Sequence, residues 1–559
     1  MRYLQLIILC FTWIMLQSCG HKPSPPSAEV IGQLGLKRGD IISCGAPGGQ
    51  FGSVDFGMTC DSSVKKDFNL AIELLHSFEY DEAEKMFAKI ITVYPACAMA
   101  YWGVAMCNFH PLWTPPSEAE LIKGKKALDI AMSIANQSTR EKAYINALEL
   151  FYTDWDKKDH HTRCVLFEKA MESLHSSYAS DNEAAIFYAL ALDASAIPTD
   201  KTYANQKKAA AILNTLYAKE PNHPGIIHYL IHTYDYPGLA AQGLEAAEKY
   251  AAVAPSSAHA LHMPSHIFTR LGLWDEVILS NLQSVDAARC YAEQAKIAGH
   301  WDEELHGLDY LEYAYLQKGD NQSAKHEIDY LDSIKSVYPV NFKVAYAFAA
   351  IPSRYVLENK LWKQAAVMAL PQKNFSWSQF PWQEAIVHFT RLIGAAHIQD
   401  IAMSEAELKA LNRLRDTLVH QKDSYKANQV SIQITAGEAW IAFANDKRDS
   451  AITRMQLAAT MEDNTEKHPV TPGEVIPARE LLADMLLEDR QYKTAEEAYE
   501  RILQKSPNRF NSLYGAGLAA EKSGDNKKAS EYFLKLLSQS GGNTIQRPEL
   551  SHAMSFTGK

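Results

Sequence analysis

Apolar positions along this chain never settle into the strict alternation of a half-buried strand, and no sustained period-two stretch occurs in its 559 residues. What recurs instead is a longer pattern: a turn, a small residue, an apolar helical run, then a proline. In DRQYKTAEEAYERILQKSPN the small residue is Ala495, and Pro507 follows it by 12 positions. In SGDNKKASEYFLKLLSQ the equivalent residue is Ala529, 34 positions after Ala495. The same 12-residue offset joins Ala83 to Pro95 and Gly243 to Pro255, and 34 residues beyond Gly243 stands Val277 in LGLWDEVILSNL. Looser copies occur at YLQKGDNQSAKHEI, ENKLWKQAAVMAL and FANDKRDSAITRMQLAA, where the spacing stretches to about 40–47 residues. A fixed period of this kind marks a repeat array, in which each unit buries its apolar face on its neighbours.

The spacing of 34, with a turn before the small residue and a proline after it, resembles the tetratricopeptide repeat (TPR) superfamily. The resemblance implies two antiparallel helices per unit. The small residue lets the second helix approach the first, and the proline ends the second helix where no amide donor is needed. It predicts an all-α chain: an α-solenoid of TPR-like helical hairpins over residues 62–540, roughly eight to eleven of them, superhelical with a concave groove. Four phrases are similar to a narrower group of bacterial exported TPR proteins: CAMAYWGVAM at Cys97–Met106, HPLW at His110–Trp113, HALHMPSHIF at His259–Phe268 and KHPVTPG at Lys467–Gly473. That likeness implies fold and compartment and no particular reaction.

The N-terminus adds a destination. Arg2 precedes an apolar run from Leu4 to Leu16, too short to cross a bilayer, and Leu16-Gln17-Ser18-Cys19 resembles a lipoprotein cleavage site. Residues 1–18 are therefore expected to be a signal peptide and Cys19 to carry lipid. Residues 19–61 read as a flexible or irregular lead-in that opens with the Pro- and Ser-rich GHKPSPPSAEV, and residues 541–559 as a C-terminal tail. The expected location is the bacterial cell envelope, exported and lipid-anchored without spanning the membrane. Export permits disulfides. Cys97 and Cys107 lie about 15 Å apart along one helix and cannot pair; Cys44–Cys60 and Cys60–Cys97 both remain open, as do buried free thiols. Net charge is −11 with no long basic run, which argues against a nucleic-acid partner.

Eight of the 20 histidines fall between His223 and His306. NHPGIIHYLIHTYDYPG predicts a helix capped by Asn222 with Pro224 in its first turn, which sets His228 and His232 on one face. The next inner helix carries His259, His262 and His266, and the one after carries His306 with Asp309. Pro264 either kinks the middle helix or starts a new one after Met263. Three successive inner helices would turn these imidazoles toward one neighbourhood. Neutral imidazoles four residues apart supply two ligands from one helix, so His228, His232, His259, His262, His266, His306 and Asp309 form a candidate site for zinc or a related transition metal, with Glu304 as a further candidate. The bland alternative is hydrogen bonding to Tyr229, Tyr234, Tyr310 and Tyr313.

Lys467, His468, Trp377 and Trp382 are candidates to line the groove. No HExxH, phosphate loop, Rossmann fingerprint or Gly-x-Ser-x-Gly elbow is present. The leading expectation is a membrane-anchored module that binds or scaffolds a protein or peptide partner. Its alternative is a metal-binding protein or metal-dependent hydrolase built on the histidine cluster. The sequence does not decide whether the chain is an enzyme.

Overall fold

The computed structural model describes residues 25–112, 114–541 and 547–558. The signal segment, Cys19 and Trp113 lie outside the described residues. The described chain is helix after helix, and its β structure is one parallel bridge of His300–Trp301 with Val337–Tyr338. No described helix is long and apolar enough to cross a membrane.

The chain divides into two compact units. One takes the described part of Met1–Ile41 together with Asp55–Leu75 and Tyr80–Ala184; the other takes Ile42–Val54, His76–Glu79 and Ala185–Lys559. In the first, Ser117 with Glu120 and Ser138 with Glu141 form capping boxes that fix the starts of the helices Glu118–Ser133 and Thr139–Tyr152. The predicted small residue works as expected here. Ala83 is fully buried, and a Cβ on Gly103 would lie 2.3 Å from the Phe87 ring, so only glycine lets Ala98–Cys107 close on Tyr80–Val93. Cys60 bonds Cys97, while Cys107 and Cys164 are buried free thiols.

The second unit holds the histidine-rich turn. Pro224–Tyr234, Leu244–Val253, Ala258–His262 with Pro264–Leu271, Trp274–Gln294, Asp302–Gln317 and Asn321–Ser333 make three consecutive hairpins. Inner helices touch across the repeat, Pro224–Tyr234 on Pro264–Leu271 and Ala258–His262 on Asp302–Gln317. The pattern continues through Phe342–Glu358, Pro381–His397 and Ser424–Ala444, each packed on its successor but one in chain order. This is the predicted all-α solenoid of TPR-type hairpins.

The expected helix cap at Asn222 changes. The cap of the Pro224 helix is His223, whose extended backbone suits the residue before a proline; the Asn222 carbonyl instead accepts from the Ser53 amide at 3.0 Å. At Pro264 a new helix does start after Met263, yet Met263 itself stays helical at φ −52, ψ −37. Residues 42–54, within the irregular lead-in, form an ordered strap. Its Cys44 amide bonds the Ser256 carbonyl and its Ala46 amide the Pro255 carbonyl. Gly45 sits at φ +110 with Pro255 O 2.3 Å from where a Cβ would stand, so glycine is required. Cys44 is bonded to Cys290, 246 residues away, a pairing that spacing does not suggest.

Arg509 anchors the later repeats. Fully buried, it donates to Glu480 at 2.7 and 2.9 Å, to Tyr313 at 3.3 Å and to Glu358. Removing the cation strands two buried carboxylates. Arg509→Met should cost about 3–5 kcal/mol, read from urea unfolding, and adding Glu358→Gln with Glu480→Gln should recover part of it. A loss under about 1 kcal/mol, the scale of a surface pair, would contradict this role.

Candidate metal centre

Every residue of the Pro224 helix is buried, so His228 and His232 face inward by packing and by their i, i+4 spacing together. The His228 Nδ1–H donates to the His76 carbonyl at 2.6 Å. A carbonyl can only accept, so this bond fixes the tautomer and leaves Nε2 with a bare lone pair. That Nε2 lies 2.9 Å from His232 Nε2 and 3.2 Å from His259 Nε2. Phe78 forms a common wall, its ring 4.4 Å from that of His228 and stacked at 5.7 Å on both His232 and His259. Tyr250 stacks on His228 from another side.

A second set repeats this design one unit along. His262 and His266 each stand 34 residues after His228 and His232. The His262 Nδ1–H donates to Asn281 Oδ1 at 2.6 Å, and Asn281 is oriented by its own amide bond to the Val277 carbonyl. The His266 Nδ1–H donates to Asp235 Oδ2 at 3.1 Å. Both Nε2 atoms are therefore unprotonated acceptors, and they face each other at 3.2 Å. Two lone pairs cannot bond one another; a shared cation would resolve the clash. Two nitrogens bound about 2.0–2.1 Å from one tetrahedral ion stand about 3.3 Å apart. His306 completes the set, its ring 4.2 Å from His262.

Each set therefore takes two imidazoles from one inner helix and a third from the next. Within His228, His232 and His259, one ligand atom of each lies within 4.8 Å of the others, and the same holds for His262, His266 and His306. The single predicted cluster is resolved into two, and the rings of His232 in one and His266 in the other are 6.2 Å apart.

Burial is the first cause of low basicity here, followed by neighbouring cations and imidazoles. His228, His232, His262 and His306 are pushed well below the ordinary range, and His259 down to about 3. His266 falls less, because Asp235 opposes burial. The imidazoles are neutral at pH 7, the form that binds metals. Burial works to raise Asp235, but Lys467, Arg270 and His266 hold its carboxyl below the usual range. Arg270 bonds Asp235 Oδ1 at 2.8 Å, and Lys467 stands 3.3 Å from Oδ2.

The remaining candidates fall elsewhere. Asp309 shares the helix of His306 but is held by Arg354, and stands in neither set. Glu304 is occupied by Arg289, His300 and Tyr330. Lys467 is buried against Asp235, behind the second set rather than in an open groove. His468 sits among Phe342, Trp382 and Tyr425, and Trp377 is buried with its indole N–H on the Pro371 carbonyl. Of the four tyrosines, Tyr229 bonds His76, Tyr234 bonds Asn214 and Tyr313 bonds Arg509, while the Tyr310 hydroxyl lies 3.5 Å from His266 Nδ1. Sequence reasoning missed Asp235, Asn281, Phe78 and the His76 carbonyl. Asp235 stands in the quoted HTYDYPG, three residues after His232, and could have been weighed there; the others carry no local signal.

Fold and site together define an all-α helical-repeat protein whose inner helices carry two three-histidine sets. No family model matches the chain, and no curated protein matches it in sequence. Among solved structures it is similar to the human IFIT1 dimer with m7Gppp-AAAA, at TM-score 0.31 and 11% identity over 84% of this chain and 95% of that one. It is also similar to the APC/C hetero-tetramer Cut9–Hcn1, at TM-score 0.27 and 13% identity over 88% and 96%.

The residues behind the imidazoles give a test. Asp235→Asn and Asn281→Leu remove partners that aim the second set, so with metal ions added to the full chain each should weaken binding at that set about 10–100-fold and spare the first. Competition with a chromophoric chelator measures this; equal weakening of both ions, or of neither, would reject the assignment.

Proposed function

We propose that this chain is a metalloprotein, in which the helical-repeat scaffold holds two transition-metal ions, one on His228, His232 and His259 and one on His262, His266 and His306. The observation that carries the reading is the pair of unprotonated nitrogens, His262 Nε2 and His266 Nε2, facing each other at 3.2 Å with both Nδ1–H groups engaged elsewhere. Three imidazoles per ion leave a coordination position for water or substrate. The solenoid serves here as the frame that brings distant imidazoles together, and Lys467, Trp377 and Trp382 are buried within it.

Elemental analysis of the full chain purified without a His-tag tests this. Two ions per chain are expected, and one after His262→Ala with His266→Ala. Less than ~0.2 ion per chain, unchanged on reloading with zinc or copper, would sink the proposal.

We further propose that the protein works in the bacterial envelope, held by lipid on Cys19. The Leu-Gln-Ser-Cys sequence and the Cys44–Cys290 and Cys60–Cys97 disulfides support an oxidising, exported setting. Cys19→Ala should move the chain from the membrane to the soluble fraction; continued membrane attachment would refute the anchor.

A further inference from the structure

We infer that the two histidine sets hold copper and act as a pair, taking dioxygen as their common ligand. This rests on the metal reading above and adds the identity of the ion and of its substrate.

The donors come first. The six ligands are all imidazole, with no thiolate or carboxylate among them. Several carboxylates lie nearby: Asp235 is held by Arg270 and Lys467, Asp309 by Arg354, and Asp302 and Glu303 by Lys343, while Glu79 and Asp193 accept from the Ser257 and Thr233 hydroxyls. Imidazole suits zinc, copper, iron and nickel, so the donor set admits copper without selecting it.

Charge then narrows the choice. Six neutral ligands cancel none of the charge of the ions, and the carboxylates of Asp235, Asp309, Asp302 and Glu303 are already matched by Arg270, Lys467, Arg354 and Lys343. Two divalent ions would bring four positive charges into a buried space, whereas two copper(I) ions bring two. At any given separation the monovalent pair repels a quarter as strongly. Copper(I) is moreover satisfied by three imidazoles.

The same argument selects the substrate. Dioxygen entering between two copper(I) ions takes one electron from each and becomes bound peroxide, while both coppers become copper(II). One metal–oxygen bond forms to each copper, the O–O π bond is lost, and no proton moves. The ions and dioxygen together carry two positive charges before the step and two after it. A buried site with fixed, paired charges therefore meets no change in net charge. Oxidising the two ions separately would add two uncompensated charges. The approach of the sets allows the pairing, with the His232 and His266 rings 6.2 Å apart on helices in direct contact. The aromatic walls of Phe78, Tyr250 and Tyr310 suit an apolar diatomic.

The test loads the full, metal-free chain anaerobically with copper(I) alone, removes the excess, and then admits dioxygen. Expected are two coppers per chain, one dioxygen consumed for every two coppers, a new near-ultraviolet absorption band and an oxidised state silent in electron paramagnetic resonance. His306→Ala should bind one copper, lack the band and show an isolated copper(II) signal after oxidation. Two coppers that stay reduced in dioxygen, or that oxidise to two independent signals, would overturn the pairing and leave the metal reading intact. Retention of zinc at both sets with no retention of copper would also overturn it. Retention of neither metal would remove this inference together with the reading beneath it.

Discussion

Close approach of successive inner helices is the constraint on which the site depends. The Pro224 helix meets the Pro264 helix, and the Ala258 helix meets the Asp302 helix, at distances only compact crossings allow. Gly243 shows how tight the turn is, since a Cβ there would come within 2.9 Å of Ile267. Histidines separated by tens of residues become neighbours because the helices bearing them stack in register. A shift of one residue would rotate each imidazole by about 100° about its helix and dissolve both sets.

Within that frame, the anchors behind the rings set the chemistry. A histidine on a buried helix face ordinarily has two nitrogens to satisfy and freedom to choose which carries the proton. Here the His76 carbonyl, the Asn281 amide oxygen and the Asp235 carboxylate each claim an Nδ1–H, and the Nε2 lone pairs are turned onto one another. Asp235 is itself held by Arg270 and Lys467, so its carboxylate serves the ring rather than a metal. The KHPVTPG segment contributes through Lys467, 232 residues along the chain from Asp235.

The repeat also explains why there are two sets. His228 and His232 recur 34 residues later as His262 and His266, so one unit of the solenoid carries the arrangement onto its neighbour. The third histidine of each set breaks this symmetry. His259 lies one turn before His262, while His306 is delayed by the 21-residue helix Trp274–Gln294, longer than the 10-residue helix at the equivalent place before it.

Periodic spacing is a local property, and whatever follows from it could be read from the chain: the helices, the hairpins, the 34-residue step, and the placing of His228 with His232 and of His262 with His266 on common faces. Cys60–Cys97 was among the pairings that spacing allowed. Tertiary structure alone decided that the histidines form two groups of three, that Asp309 belongs to Arg354, and that Cys44 finds Cys290. The reason is physical. A helix fixes which way a side chain points, but its partner is chosen by the angle and offset at which separate helices cross, and those depend on the summed packing of many residues far apart in sequence.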